Sequence, residues 1–219
     1  MSLRARTVFN QYRGHERVSG PEDEPVTLDQ IKAELRLTGT AEDASLNLYI
    51  ETAREYIEEV TGLALGSQEW RLTLDRWPSG REPWWDGTRQ LAISELAGPQ
   101  RELHMPRYPL ISVDAIEVFD ASGNGQSIVV ADTFIVDTAQ RPGRLVLKFG
   151  ATWPIALQNA NAIVIDYTAG YTAIPGPIRL AVLRMASHLY EHRAECTAAD
   201  AYVQSGAAAM AGKFQAARL

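Results

Sequence analysis

His188, Glu191 and His192 stand in the order H-x-x-E-H, the spacing of inverted zinc peptidases. On a helix the two imidazoles lie one turn apart and could share a metal, with the carboxylate as general base. Hydrolysis at such a centre needs a third protein ligand. The only acids after His192 are Glu195 and Asp200, and neither falls on a second substantial helix. The plainer reading is a helix C-terminus where His and Arg favour the negative end of the dipole. Cys196 follows one turn after His192. An activated thiol there would borrow that imidazole as its base; a small residue at a helix end accounts for it more simply.

Trp77, Trp84 and Trp85, with Tyr108, could form a stacking platform for a sugar. Aromatic residues of this kind also concentrate in protein interfaces, and Trp77, Trp84 and Trp85 are assigned to one here. Gly123 and Gly125 in A-S-G-N-G-Q lack the Lys-Ser/Thr ending of a phosphate loop and read as a turn. With four histidines and no nucleophile elbow, no Ser-His-Asp triad emerges. The residues assign no catalytic, metal or cofactor-binding role, and the chain reads as a non-enzyme.

The elements that carry these residues change character along the chain. Thr27-Leu28-Asp29-Gln30 is a capping box, and Leu28, Ile31 and Leu35 give one apolar face. A helix is expected over 27–37, ending near Gly39. A second, over 41–62, carries Leu46, Ile50, Ala53, Ile57 and Val60 at helical spacing, and Gly62 as its C-terminal cap. Glu51, Arg54, Glu55, Glu58 and Glu59 read mostly as its outer face. From Trp70 the period becomes two, and strands are expected at 70–74, 90–94, 101–105, 111–119, 126–130, 133–137, 143–149 and 162–168. Asp120 to Gly125 is a turn between two of them. Connections this short imply a largely antiparallel meander. Pro175-Gly176-Pro177 closes the block and opens a helix near 177–195.

The fold class is therefore α+β. Residues 26–66 and 176–196 form a helical base, and 67–175 form an inserted, mainly antiparallel β module. Residues 1–25 read as an N-terminal arm. Residues 197–219 hold nine alanines and two glycines, with little apolar bulk, and read as a C-terminal attachment tail. Its larger side chains, Met210, Lys213, Phe214, Arg218 and Leu219, are the candidate anchors. Removing 197–219 is expected to leave the fold intact.

The 219 residues are 46% hydrophobic and 22% charged, with a formal net charge of −6. Phosphate binding usually carries a basic surplus, so an acidic chain suits letting DNA pass better than holding it. A single cysteine excludes an intrachain disulfide. No apolar run approaches the roughly 20 residues that span a bilayer. The arginine-bearing N-terminus has no apolar core and does not read as a secretory signal.

Taken in order, several fragments resemble the head–tail connector, or adaptor, proteins of tailed phages and of phage-derived gene transfer agents. They are V-T-L-D-Q-I-K-A-E-L-R-L at 26–37, A-R-E-Y-I-E-E-V-T-G at 53–62 and W-R-L-T-L-D at 70–75. P-R-Y-P-L-I-S-V at 106–113, I-D-Y-T-A-G-Y at 165–171 and the run from Ile174 to Arg193 complete them. The resemblance implies a structural protein of a phage or phage-like particle, assembled in the bacterial cytoplasm. It implies a homo-oligomeric ring, commonly of twelve, beneath the portal protein. That ring extends the DNA channel and carries the stopper or tail-completion protein. DNA would pass without sequence-specific binding; no membrane, cofactor or reaction is implied. The rival readings are a carbohydrate-binding β module using the Trp loop and a zinc hydrolase using His188, Glu191 and His192.

Overall fold

The computed structural model describes residues 12–78, 101–156, 158–193 and 195–215. The strand expected at 90–94 lies outside them, as do Trp84, Trp85, Arg218 and Leu219. The chain divides into two compact units. One gathers segments 1–18, 69–105 and 111–168; the other gathers 19–68, 106–110 and 169–219. The architecture is mixed α+β, with two antiparallel sheets.

The helical unit begins with α1 (Leu28–Leu35), whose capping box forms as the sequence predicts. The Thr27 hydroxyl accepts from the Gln30 N–H at 3.3 Å, and the Gln30 side chain accepts from the Thr27 N–H at 3.0 Å. The helix stops earlier than Gly39, because Arg36 already takes a left-handed cap conformation. Helix α2 (Asp43–Thr61) ends at Gly62, where a φ of 79° suits a residue without a Cβ. Ile50, Ala53 and Ile57 of α2 are buried with Ile178, Ala181, Val182, Met185 and Leu189. The latter five lie on the last long helix, Gly176–Glu191, which Pro177 opens.

The expected tail behaves differently from its reading. Ala198–Gln204 and Ala207–Ala211 form two short helices, and a 3-10 turn follows at Gly212–Phe214. Ala201, Tyr202, Ala207 and Ala211 belong to the core of the helical unit. Alanine lets these helices approach closely and Tyr202 supplies the bulk, so low average bulk is no bar to burial. Residues 201–211 are thus packed rather than loose, and removing them is expected to destabilise the unit.

The strand unit holds two sheets. The larger has the order β1-β2-β8-β4-β5, built from β1 (Tyr12–Ser19), β2 (Gln68–Leu74), β4 (Leu110–Phe119), β5 (Gly125–Ile128) and β8 (Ile163–Ala169). The smaller has the order β3-β7-β6, from β3 (Glu102–His104), β6 (Phe134–Asp137) and β7 (Arg144–Leu147). The mainly antiparallel character holds, but the meander order does not: β8 enters between β2 and β4, which period-two patterning cannot reveal. On β2 and β8, Leu72, Leu74, Ile163 and Ile165 are buried, while Arg71 and Asp166 meet on the other face at 2.7 and 3.0 Å.

The arm, too, becomes structure from Tyr12 onward, as an edge strand. Its His15 stacks on Trp70, with ring centroids 4.8 Å apart, and its Nε2 lies 2.7 Å from the Tyr167 hydroxyl. The polar sequence of β1 suits an edge, where one row of backbone groups faces away from the sheet. The turn at 120–125 forms as expected: the Asp120 carboxylate accepts the N–H groups of Ser122 and Asn124 at 2.8 and 2.9 Å.

Candidate functional site: surfaces and buried charges

Arg54 and Glu58 are the best-enclosed charges among the described residues, with side chains 3% and 4% exposed. Their charge suggests the outer face of α2, where this set of residues mostly reads. Yet positions 50, 54, 57, 58 and 61 recur at i, i+4, i+7, i+8 and i+11, which is one helical stripe. The spacing was the missed signal; charge type had obscured it. Glu58 accepts the Leu65 N–H at 2.7 Å and the Gln68 amide at 2.6 Å through Oε1, and Arg54 Nη1 at 3.0 Å through Oε2. Arg54 Nε also donates to both oxygens of Glu24, at 3.1 and 2.9 Å. Arg54 and its two carboxylate partners therefore tie the entry segment, α2 and the loop after it. Burial pushes the Glu58 carboxyl above its ordinary value, while the Leu65 N–H and Arg54 oppose that rise. Arg107 adds a bond to the Glu58 carbonyl at 2.6 Å, and the Tyr108 hydroxyl donates to the Thr61 carbonyl.

The residues that suggested metal chemistry do not converge. His188 and His192 stack on each other, with centroids 4.2 Å apart, and His192 Nδ1 lies 3.2 Å from the carbonyl of His188. Glu191 is exposed. Among the described residues no group of three or more His, Cys, Asp or Glu side chains could hold a metal ion. The Cys196 thiol lies 3.3 Å from the Thr197 carbonyl.

Trp77 is turned into the strand unit rather than presented on it. Its ring stacks on Trp153 at 4.7 Å, packs beside Phe134 at 5.9 Å, and its Nε1–H donates to the Pro154 carbonyl at 2.8 Å. Burial of a large ring with its one donor satisfied is a fold-building role. Trp77→Phe is expected to lower stability by about 1–2 kcal/mol, chiefly by orphaning that carbonyl and leaving a gap. A urea titration followed by fluorescence checks this; an unchanged midpoint would contradict it.

Of the candidate anchors within the described residues, Met210 and Phe214 are partly buried against the helical core, and Lys213 is exposed. Exposed apolar side chains gather elsewhere, at the shared end of β6 and β7. Phe149 is 104% exposed, beside Lys148 and Gly150 in the turn that follows β7; Val129, at 62%, precedes the short helix α3 (Val130–Thr133) that leads into β6. Sequence patterning placed Phe149 inside a strand over 143–149, where its side chain would have had a sheet face to join.

Residues 25–82 match the family model described as phage gp6-like head-tail connector protein. No curated protein matches the sequence. Among solved structures, the chain is similar to one from the neck of an empty GTA particle computed with C6 symmetry. Identity is 25%, the TM-score is 0.70, and the match covers 94% of this chain and 97% of that one. A chain in the virion of a native gene transfer agent particle has 24% identity and a TM-score of 0.70, over 94% of this chain and 96% of that one. A third, from the neck of a native GTA particle computed with C12 symmetry, has 23% identity and a TM-score of 0.68, over 94% and 97%. The sequence likeness to phage head–tail connectors therefore covers the first helices and β2, and the fold likeness to chains of gene transfer agent particles covers nearly the whole chain. The family and the structural neighbours are structural particle proteins rather than enzymes.

Proposed function

We propose that this chain is the structural head–tail adaptor of a phage-like particle, forming a ring between the portal and the tail-side proteins. The observation that carries the reading is the joint one just given. A connector-family match at 25–82 sits inside a fold that follows particle-neck chains over 94% of its length. Neighbours from necks computed with C6 and C12 symmetry support a ring of identical subunits, and we assign twelve. Such a ring is built head to tail, from two different surfaces of each subunit. The net charge of −6 suits a channel that DNA crosses without sticking. Particle assembly in the bacterial cytoplasm is part of the same proposal.

The portal-facing anchor is assigned to the end of the chain: Lys213, the outer edges of Met210 and Phe214, and Arg218 and Leu219. Trp84 and Trp85 are assigned to a protein interface. Because Lys213 is exposed, Lys213→Glu should leave folding unchanged and weaken portal attachment. Recovery of that variant on purified particles, at the wild-type ratio to portal, would overturn the anchor.

The test of the function is a reconstruction of purified particles by electron cryo-microscopy. Ring density at the head–tail joint that this fold fits, with residues 210–219 against the portal, is the expected result. Particles that join heads to tails without this chain would defeat the reading.

A further inference from the structure

We infer that Phe149 is a subunit–subunit contact, an aromatic knob on a fastened turn that docks on the next copy of this chain; the inference rests on the ring reading above. The turn that carries it is fastened from several sides. The Lys148 N–H donates to the Thr133 carbonyl at 3.0 Å, and the Lys148 carbonyl accepts the Ala151 N–H at 3.0 Å. Arg101 Nη2 donates to that same carbonyl at 2.6 Å, and the Lys148 ammonium donates to the Ala131 carbonyl. Gly150 takes a φ of 80°, which closes the turn at a residue that has no Cβ to strain. The turn at Phe149 is thus held in place while the ring itself stands fully exposed, packed on none of the described residues. Polar residues or proline usually occupy such turns. A large apolar ring there loses nothing only if it becomes covered.

Other exposed apolar groups belong to the same unit: Val129 just before α3, Ile135 on β6 at 52%, and Ile155, at 77%, six residues after Phe149. A nucleic acid is a poor occupant. The two cations at this turn, Arg101 and Lys148, are directed at carbonyls of the fold rather than outward. A protein surface suits an apolar ring carried on a fastened backbone, since little main-chain entropy remains to be lost on docking. The ring reading then selects the protein. Neck structures of similar chains were computed with C6 and C12 symmetry, which supports a ring of copies. Such a ring sets another copy beside every knob, one for one.

The test uses the full chain. Phe149→Ser removes a ring that packs on none of the described residues, so the melting temperature should not change. Ring assembly, followed by light scattering and by incorporation into particles, should need about thirtyfold more protein or fail. A photo-crosslinking phenylalanine analogue at position 149, irradiated in assembled particles, should give a ladder at multiples of 24.2 kDa. A crosslink to any other particle protein, or no crosslink, would overturn the inference. So would a Phe149→Ser variant that assembles like wild type, and in that case the adaptor reading stands. Only joining of heads to tails without this chain would take both down.

Discussion

Replacing Glu58 by alanine is expected to destabilise the helical unit by about 3–5 kcal/mol, the range for removing one partner of a buried ion pair. The loss goes beyond Arg54. The Leu65 N–H and the Gln68 amide both end on Glu58 Oε1, so the substitution orphans two further donors inside the fold. In a chain of this size the melting midpoint should fall by roughly 10 °C. Arg54→Ala should cost a similar amount by stranding Glu58, and the double variant less than the sum of the two. Additive losses in that cycle would mean the two side chains act independently, against the 3.0 Å geometry.

The same carboxyl predicts a pH effect. Burial raises the Glu58 pKa above its ordinary value, so the folded protein takes up this proton before the unfolded chain does. The stability that follows is fully present below the ordinary carboxyl value and is lost as pH rises through the raised one. Glu58→Gln keeps the shape and cannot titrate. Wild type should therefore lose stability relative to Glu58→Gln as pH is raised from the ordinary carboxyl value through the raised one. A constant difference across that range, measured by urea midpoints, would show that burial does not govern this group.

Truncation after Cys196 is the second large effect. It removes Ala201, Tyr202, Ala207 and Ala211 from the helical core. It also removes the capping box in which Thr197 and Asp200 hold each other, with the Thr197 hydroxyl donating to the Asp200 carboxylate at 2.6 Å. Loss of a buried aromatic side chain costs about 3–5 kcal/mol and loss of a cap about 1. The truncated chain should melt far below the full chain or fail to accumulate as soluble protein. Tyr202→Ala, a smaller lesion beside Tyr56 at 5.4 Å, should reproduce about 3 kcal/mol of that loss. A truncated protein with wild-type melting would mean these helices rest on the unit without stabilising it. The Lys213→Glu test of attachment avoids the ambiguity, because it leaves this packing in place.

The sequence by itself determined what local physics can specify. Thr27 and Gln30 define a helix start because two side chains answer two orphan backbone groups three residues apart. Gly62 marks a helix end because a left-handed residue costs glycine least. The alternation from Trp70 to Leu74 and from Ile163 to Ala169 marks strands with one buried face. Those same ordered fragments carried the likeness to head–tail connectors. Only the tertiary structure decided the rest. Whether a charge is exposed depends on what lies opposite it, so Arg54 and Glu58 became legible as buried groups once Glu24, Leu65 and Gln68 closed around them. An alanine-rich end is loose or packed according to the surface waiting for it, and here the long helix from Gly176 offers one. Strand order is set by pairing across more than ninety residues, as between Arg71 and Asp166, which periodicity does not encode. Trp77 and Phe149 make the same point in opposite directions. The residue read as a surface contact fills an interior, and the one read as part of a strand stands fully in solvent, because exposure belongs to the assembled fold and not to the residue type.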